Sequence, residues 1–571
     1  MVWFRTKNMI LFFFLLLISG SSSVSNSLFT YTGDLMVTLV INQPQMENKN
    51  FYDPQEDPES KLLYKILQLW NNSYLEEVLN VSFFGNVFDG YNLFVLRLRK
   101  PADPNFRQRV LFITDMNGEI FIEKTFNDSE IGASQSQNVE FINSTTVIMG
   151  ESDGLALWNV YNDQTMIFNF YGHHEYEYNH ANNTFLTLQV YIKEINEVKY
   201  VYDRIEEYDM SSQLVWSLDT DSFISHTQWC PFKDLNRGLR DITHTNSLFS
   251  DPEEDVLYCN MRNVNTFYKI DHKTGKVLWG LGEYGNFTLF DRYGRERTNL
   301  FYHAHAVEKV GDHTFILFDN DLHNQTNPEH RRSQILEFTI NETTMTANET
   351  WSWSAPAEYY SPYWGDADRL PNGNRLGTFG VIRRPGIIGV RLVEVNNEGD
   401  IVWEMDFNNS EEFVYGVYRM ERFRLTPILS APPDLHVRSN DPVNLIWQTW
   451  YNFRTRYTMP GSYTLYLDGK PIESGAHTFD KYWRPTDLTI TLDWLSTGTH
   501  NLTLVLMDEG NHSTHDTVLV FVDPEPSSTS PEPSSSTATQ ASFSVLGFLW
   551  GVCVVLNWRI LRKRLRNQID Q

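Results

Sequence analysis

The sequence predicts an all-β chain: a β-propeller of five or six blades, then a small immunoglobulin-like β-sandwich, with one C-terminal transmembrane helix. Three observations predict it. Short strands broken by Gly, Asn and Asp turns fill the chain, and aromatic residues make up 14 % of it, which suits pleated, half-buried surfaces. A hairpin whose second strand ends in an apolar-x-Trp pattern recurs at Ile205–Trp216, Phe267–Trp279 and Leu392–Trp403, with looser copies at Leu336–Trp351 and Val110–Ile120. An apolar run near the C-terminus is just long enough to span a bilayer.

The elements follow in order. Arg5 and Lys7, the apolar run Met9–Ile18 and small polar residues to Ser25 read as a secretory signal peptide over 1–25. Residues 26–83 form an N-terminal β-rich region. The hairpin repeats, interleaved with turn-and-strand units such as Gly311–Phe318 and Leu370–Leu376, define a propeller over 84–425. Their Trp residues are expected between blades, as core. After Pro432 the strands Tyr463–Leu467, Leu488–Leu492, Leu502–Met507 and Thr517–Val522 predict the sandwich, over 432–523. Pro, Ser and Thr dominate 524–541 and predict an extended stalk. The span is 542–560, and 561–571 is a basic tail. Arg559, Arg562, Lys563, Arg564 and Arg566 hold that tail in the cytoplasm, so the expected topology is single-pass type I with the ectodomain extracellular or lumenal.

Twelve Asn-x-Ser/Thr sites lie between signal and stalk, and none lies beyond the span. They are Asn71, Asn80, Asn127, Asn143, Asn182, Asn286, Asn324, Asn341, Asn348, Asn408, Asn501 and Asn511, and they predict a glycoprotein. Of three Cys, Cys553 is in the apolar run; Cys230 and Cys259 either form one disulfide or remain two buried thiols. The net charge of −26 disfavours nucleic acid as a partner. It also requires that any anionic substrate meet a local basic pocket.

Four stretches supply such a pocket. They are Gly172–His180, Asp241–Ser247 with Asn260–Asn263, Phe301–Ala306 with Phe318–Asn320, and His330–Ser333. In a propeller, loops at one face converge, so His and Arg from separate blades meet around a compact oxyanion. His303 and His305, two apart, are expected to share one face of a strand. Asn320 is expected either in a turn or as a partner that orients His305. No metal set is expected beyond the weak grouping of His173, His174, Glu175 and His180. No P-loop and no Ser nucleophile elbow is present, and no cofactor is expected.

These stretches resemble the aryl sulfotransferase family, the propeller enzymes that do not use PAPS. The resemblance runs from Gly90–Phe94 through His173–Glu175, His244–Asn246, Tyr268–Gly282, His305, Phe318–Asn320 and Arg332 to Leu370–Asn374. It implies a ping-pong transfer in which a His takes a sulfuryl group from a phenolic sulfate ester and passes it to another phenol. On the match, His244, His305 and Arg332 are the catalytic candidates; His173, His174, Arg262, His303 and Asn320 line the substrate. The implied partner is a small phenolic or sulfated substrate. One departure stands out: in the family's bacterial enzymes the sulfate-accepting His lies on a later blade than the Arg match, and here Tyr359–Arg384 contains no His. Two functions therefore stay open, a sulfotransferase-like enzyme and a non-catalytic propeller that binds a glycan, a peptide or a small anion.

Overall fold

The computed structural model describes residues 78–525, apart from 127–137, 152–153, 229, 231, 233–238, 322, 324–331 and 383–387. The expected signal peptide, most of the N-terminal region, the stalk, the span and the tail lie outside the described residues, as do Asn71, Asn127 and Asn324. Among the described residues no helix is long and apolar enough to cross a membrane.

Among the described residues, six sheets of at least four strands, antiparallel but for two short parallel pairings, follow one another around a ring, as a propeller requires. The first is closed by both ends of the ring. Tyr91–Lys100, Asp103–Thr114 and Ile120–Thr125 accept the late strand Val414–Phe423 as their innermost member, with Tyr91 opposite Phe423. The other inner strands are Val139–Asn143, Tyr176–Asn179, Thr245–Asp251, His305–Gly311 and Asp366–Arg369, for the second to sixth sheets. Leu79–Phe83, from the region expected ahead of the propeller, pairs with Ile401–Asn408 on the outer edge of the sixth sheet.

The core explains the closure. Each sheet is apolar on both faces, so each gap between neighbours is filled by its own cluster. Leu93, Leu111, Val139 and Met149 pack between the first and second sheets, and Leu155, Phe168 and Phe185 between the second and third. The next gaps hold Leu188, Ile205 and Leu257, then Tyr258, Phe267 and Phe315, then Phe318, Ile335 and Phe379. Phe94, Phe112, Leu392 and Trp403 fill the gap between sixth and first and complete the circle. Trp279 and Trp403 are buried there, as expected of the repeated Trp, while Trp216 is half-buried. Trp403 Nε1 donates to Met116 O at 2.8 Å, across the closing gap.

The hairpin turns share one device. Asp115, Asp209 and Asp291 each use a side-chain oxygen to accept backbone N–H groups two and four residues on. These Asx turns are what the Asp/Asn-rich hairpin sequences encode. Gly118 and Gly275, at φ 83° and 68°, take the left-handed positions in two hairpin turns.

Two further sheets, of three and five strands, enclose a separate core that includes Trp447, Leu465, Leu504 and Val518. The chain leaving the strand Val443–Trp450 dips back into the ring. Its Arg454 meets Glu308, Asp368 (2.6 Å) and Glu421, and its Arg456 meets Glu177. All four acids come from inner strands and are buried. The C-terminal domain thus neutralises an acid-lined channel.

Seven sequons are exposed, at Asn80, Asn182, Asn286, Asn341, Asn348, Asn501 and Asn511, whereas Asn143 and Asn408 are half-buried. The disulfide expected as one alternative does not form: Cys230 and Cys259 are both buried and not joined to each other. Cys259 faces the core between the third and fourth sheets, beside Leu186 and Leu257. Cys230 faces His303 and His323 instead.

Candidate functional site

Between blades the chain crosses from an outer strand to the next inner strand, and four of these crossings bend sharply at their ends. The bend falls on His174, His244, His303 and Trp364, with φ of 62°, 46°, 56° and 60°. They stand one or two residues before the inner strands of the third, fourth, fifth and sixth blades. Left-handed backbone at non-glycine residues is uncommon and costs about 1–3 kcal/mol. Three of these four strained positions carry an imidazole.

The rings converge. His174 and His244 lie 5.0 Å apart between centroids, and His174 and His305 flank Tyr418 at 5.9 and 6.2 Å. Tyr418 comes from the closing inner strand and donates its hydroxyl to Asn246 O at 3.2 Å. Arg262 is buried, donates its backbone N–H to His244 O at 3.3 Å, and lies with its guanidinium 5.8 Å over the Tyr363 ring. Arg332 is half-buried two residues before the strand Gln334–Asn341, at the end of the fifth blade where Gln334 pairs with Asp319.

Hydrogen bonds fix how these rings can react. His305 Nδ1 is 2.6 Å from Asn320 Oδ1, and Asn320 Nδ2 donates to Ser361 O at 2.7 Å and Trp364 O at 2.8 Å. Those two carbonyls can only accept, so the Asn320 amide has one orientation and its Oδ1 must accept from His305 Nδ1–H. The lone pair of neutral His305 is therefore on Nε2. Asn320 is the orienting partner, the second of the two roles the sequence left open. His244 Nδ1 is 2.6 Å from Asp241 Oδ2, which likewise leaves Nε2 as its reactive nitrogen. The His244 side chain is 31 % exposed and Asp241 only 8 %, so the carboxylate backs a ring that substrate can reach.

Behind His174 stands His173, with their Nδ1 atoms 2.7 Å apart and His173 Nε2 3.1 Å from Asp203 Oδ1. Burial alone would raise Asp203, but His173 and hydrogen bonds from Thr243 and Thr245 outweigh it and hold the carboxyl below its ordinary value. Burial, then His173 and His244, keep His174 neutral far below the usual imidazole range. Burial and the Arg262 charge do the same to His305. Both rings stay unprotonated nucleophiles or bases at neutral pH.

His303 does not belong to this group. It takes left-handed backbone ahead of the strand, which begins at His305, so strand alternation does not relate the two rings. His303 Nε2 lies 3.2 Å from Cys230 Sγ. His180 packs on Tyr457 at the channel plug, apart from His173 and His174. Sequence reasoning missed Asp241, although a carboxylate three residues before a His in a turn is a usable signal. It missed Tyr418 and Arg419 because nothing local marks them; the ring closure brings their strand in. Arg419 pairs with Glu175 at 2.7 Å and donates to Asn246 O at 3.0 Å, bracing the His174 and His244 loops together.

Six sheets around a ring, with imidazoles gathered at the ends of its crossings, define a propeller-like protein. The chain belongs to the arylsulfotransferase (ASST) family, whose sequence model matches residues 64–419 and so reaches all six blades. Its function is aryl sulfotransferase-like in that broad sense, with phenolic compounds as the family's substrate class. No curated protein matches this sequence. Solved structures with partial likeness include the CARDB domain of a Pyrococcus furiosus protein, 13 % identical over 17 % of this chain and 96 % of that one, TM-score 0.14. CopC from Methylosinus trichosporium is 18 % identical over 18 % and 96 %, TM-score 0.13. Hydrazine synthase from Kuenenia stuttgartiensis is 8 % identical over 47 % and 68 %, TM-score 0.25. At these TM-scores the likenesses carry no argument.

Proposed function

We propose that this chain transfers a sulfuryl group from an aryl sulfate ester to an acceptor phenol, with His244 as the group that is transiently sulfated. His244 Nε2 attacks sulfur, the N–S bond forms, and the S–O bond to the aryl group breaks. The phenolate leaves and takes a proton from water. Asp241 stabilises the positive charge on the sulfated ring through Nδ1–H. In the second half, the acceptor phenol gives its proton to His305 Nε2, its oxygen attacks sulfur, and the N–S bond breaks. His174, Arg262 and Arg332 supply positive or polarisable groups for the sulfuryl oxygens. The carrying observation is the half-buried, reachable His244 ring, backed at 2.6 Å by buried Asp241 and 5.0 Å from His174.

The proposal includes topology. The sequence of both ends supports a single-pass type I protein with its ectodomain outside the cell or in a lumen, carrying glycans at its exposed sequons.

A specific observation favours a second reading. The sixth blade presents Trp364 where three others present imidazole, which suits a propeller that binds a sulfated ligand without turnover. One experiment separates the two: the purified protein is given a chromogenic aryl sulfate with and without an acceptor phenol. Acceptor-dependent phenol release that is lost in His244→Ala and His305→Gln supports transfer. Binding without release supports the second reading.

A further inference from the structure

Beside the imidazole mouth lies a second cluster that sulfuryl transfer does not use. Cys230 Sγ is 3.2 Å from His303 Nε2 and 3.0 Å from His323 Nε2, and the three atoms lie within 4.8 Å of one another. Cys230 and His303 are buried and His323 is half-buried. The surroundings hold the set in place. The His323 ring stacks on Tyr302 at 4.0 Å and meets Phe232 at 4.6 Å. Asn265 accepts the His303 backbone N–H at 2.8 Å, donates to Glu283 at 2.8 Å, and has its Nδ2 3.5 Å from His323 Nε2. His303 Nδ1 is buried with no hydrogen-bond partner among the described residues.

We propose that Cys230, His303 and His323 bind one transition-metal ion of the Zn²⁺ type, through a thiolate and two imidazole nitrogens, with the fourth position open. One sulfur and two nitrogens form the donor set that borderline-soft ions prefer over Mg²⁺ or Ca²⁺. Tetrahedral Zn–S and Zn–N bonds of about 2.3 and 2.05 Å place sulfur and nitrogen about 3.6 Å apart, so the side chains need to part by only about half an ångström. Coordination at His303 Nε2 would fix its proton on Nδ1, and the metal would stabilise a buried thiolate that is unfavourable alone. The contrast is Cys259, whose thiol is pushed up by burial, then by Asp203, and which has only core residues around it. The site stands independently of the sulfuryl-transfer reading.

The test uses the full chain, reduced and stripped of metal with a chelator, then titrated with Zn²⁺ or Co²⁺ against a chromogenic competitor. The expected result is one tight equivalent per chain, with a thiolate-to-cobalt charge-transfer band in the near ultraviolet. Cys230→Ser abolishes the band. His323→Ala weakens binding by about 100-fold or more, at least the upper end of what losing an outer-shell partner does. Cys259→Ala keeps both stoichiometry and band. Zn²⁺ raises the thermal midpoint of the wild type and not that of His323→Ala, a readout that holds even if Cys230→Ser folds poorly. Failure of the wild type to retain metal, or retention by His323→Ala equal to wild type, overturns the proposal.

Discussion

Replacing Asp241 by Asn removes one negative charge from behind His244 while keeping the size of the side chain. The carboxylate oxygen lies 2.6 Å from Nδ1, so the two charge centres are about 4 Å apart, worth about 4 kcal/mol at an effective dielectric of 20. The His244 side chain is 31 % exposed, and solvent screening trims that to about 2–3 kcal/mol. Each 1.36 kcal/mol is tenfold in rate, so phenol release should slow by about 30- to 150-fold. The assay is single-turnover release of phenol from a chromogenic aryl sulfate, which isolates the step in which the ring becomes positive. Thermal stability should move by less than about 1 kcal/mol, because Asn can still accept from Nδ1–H and the Asp241 carbonyl keeps its bond from Asn263. Release within twofold of wild type would refute the claim that Asp241 stabilises the sulfated imidazole.

Three further outcomes follow from the same geometry. Asn320→Leu frees His305 Nδ1 and removes the amide donor from the Ser361 and Trp364 carbonyls, of which Ser361 keeps the Ser333 hydroxyl; transfer to the acceptor phenol should drop more than donor cleavage, read as a lower acceptor dependence of turnover. His180 is held down at about 4, chiefly by its burial and by Arg456, against the opposing pull of Glu140. Its folded pKa lies below the unfolded value of 6.5, so the unfolded chain alone takes up this proton and stability falls as pH drops below 6.5. The loss attributable to His180 between pH 7 and pH 5 is about 2 kcal/mol, and His180→Gln should remove it from the difference in urea unfolding free energy between the two pH values; an unchanged difference contradicts this. Arg454→Met strands Glu308, Asp368 and Glu421 in the channel, and a destabilisation of about 3–5 kcal/mol at pH 7 is expected by chemical denaturation, shrinking as acid protonates the stranded carboxyls.

The propeller was legible because its signals are local. Asx turns, strand alternation and the buried Trp279 and Trp403 are each written within about a dozen residues. His174, His244 and His305 were legible because they sit beside the turns that end each crossing. What the sequence hides is whatever the ring closure brings in from far away. Tyr418 and Arg419 arrive on a strand more than 290 residues from its partner Tyr91–Lys100, and Arg454 arrives from another domain. The Cys230 alternatives could not be separated by composition, since a thiol facing two imidazoles and one facing a core read alike. The alternation expected of His303 and His305 does not apply because His303 takes left-handed backbone ahead of the strand that begins at His305.

The central claim is that His244 carries the sulfuryl group between donor and acceptor. Rapid quenching of the enzyme with an aryl sulfate, without acceptor, followed by alkaline digestion and peptide mass spectrometry, tests it most directly. The account predicts a peptide containing His244 heavier by one sulfuryl group, lost on adding a phenol and absent in His244→Ala. A sulfated residue elsewhere, or phenol release with no adduct at any time point, would contradict it.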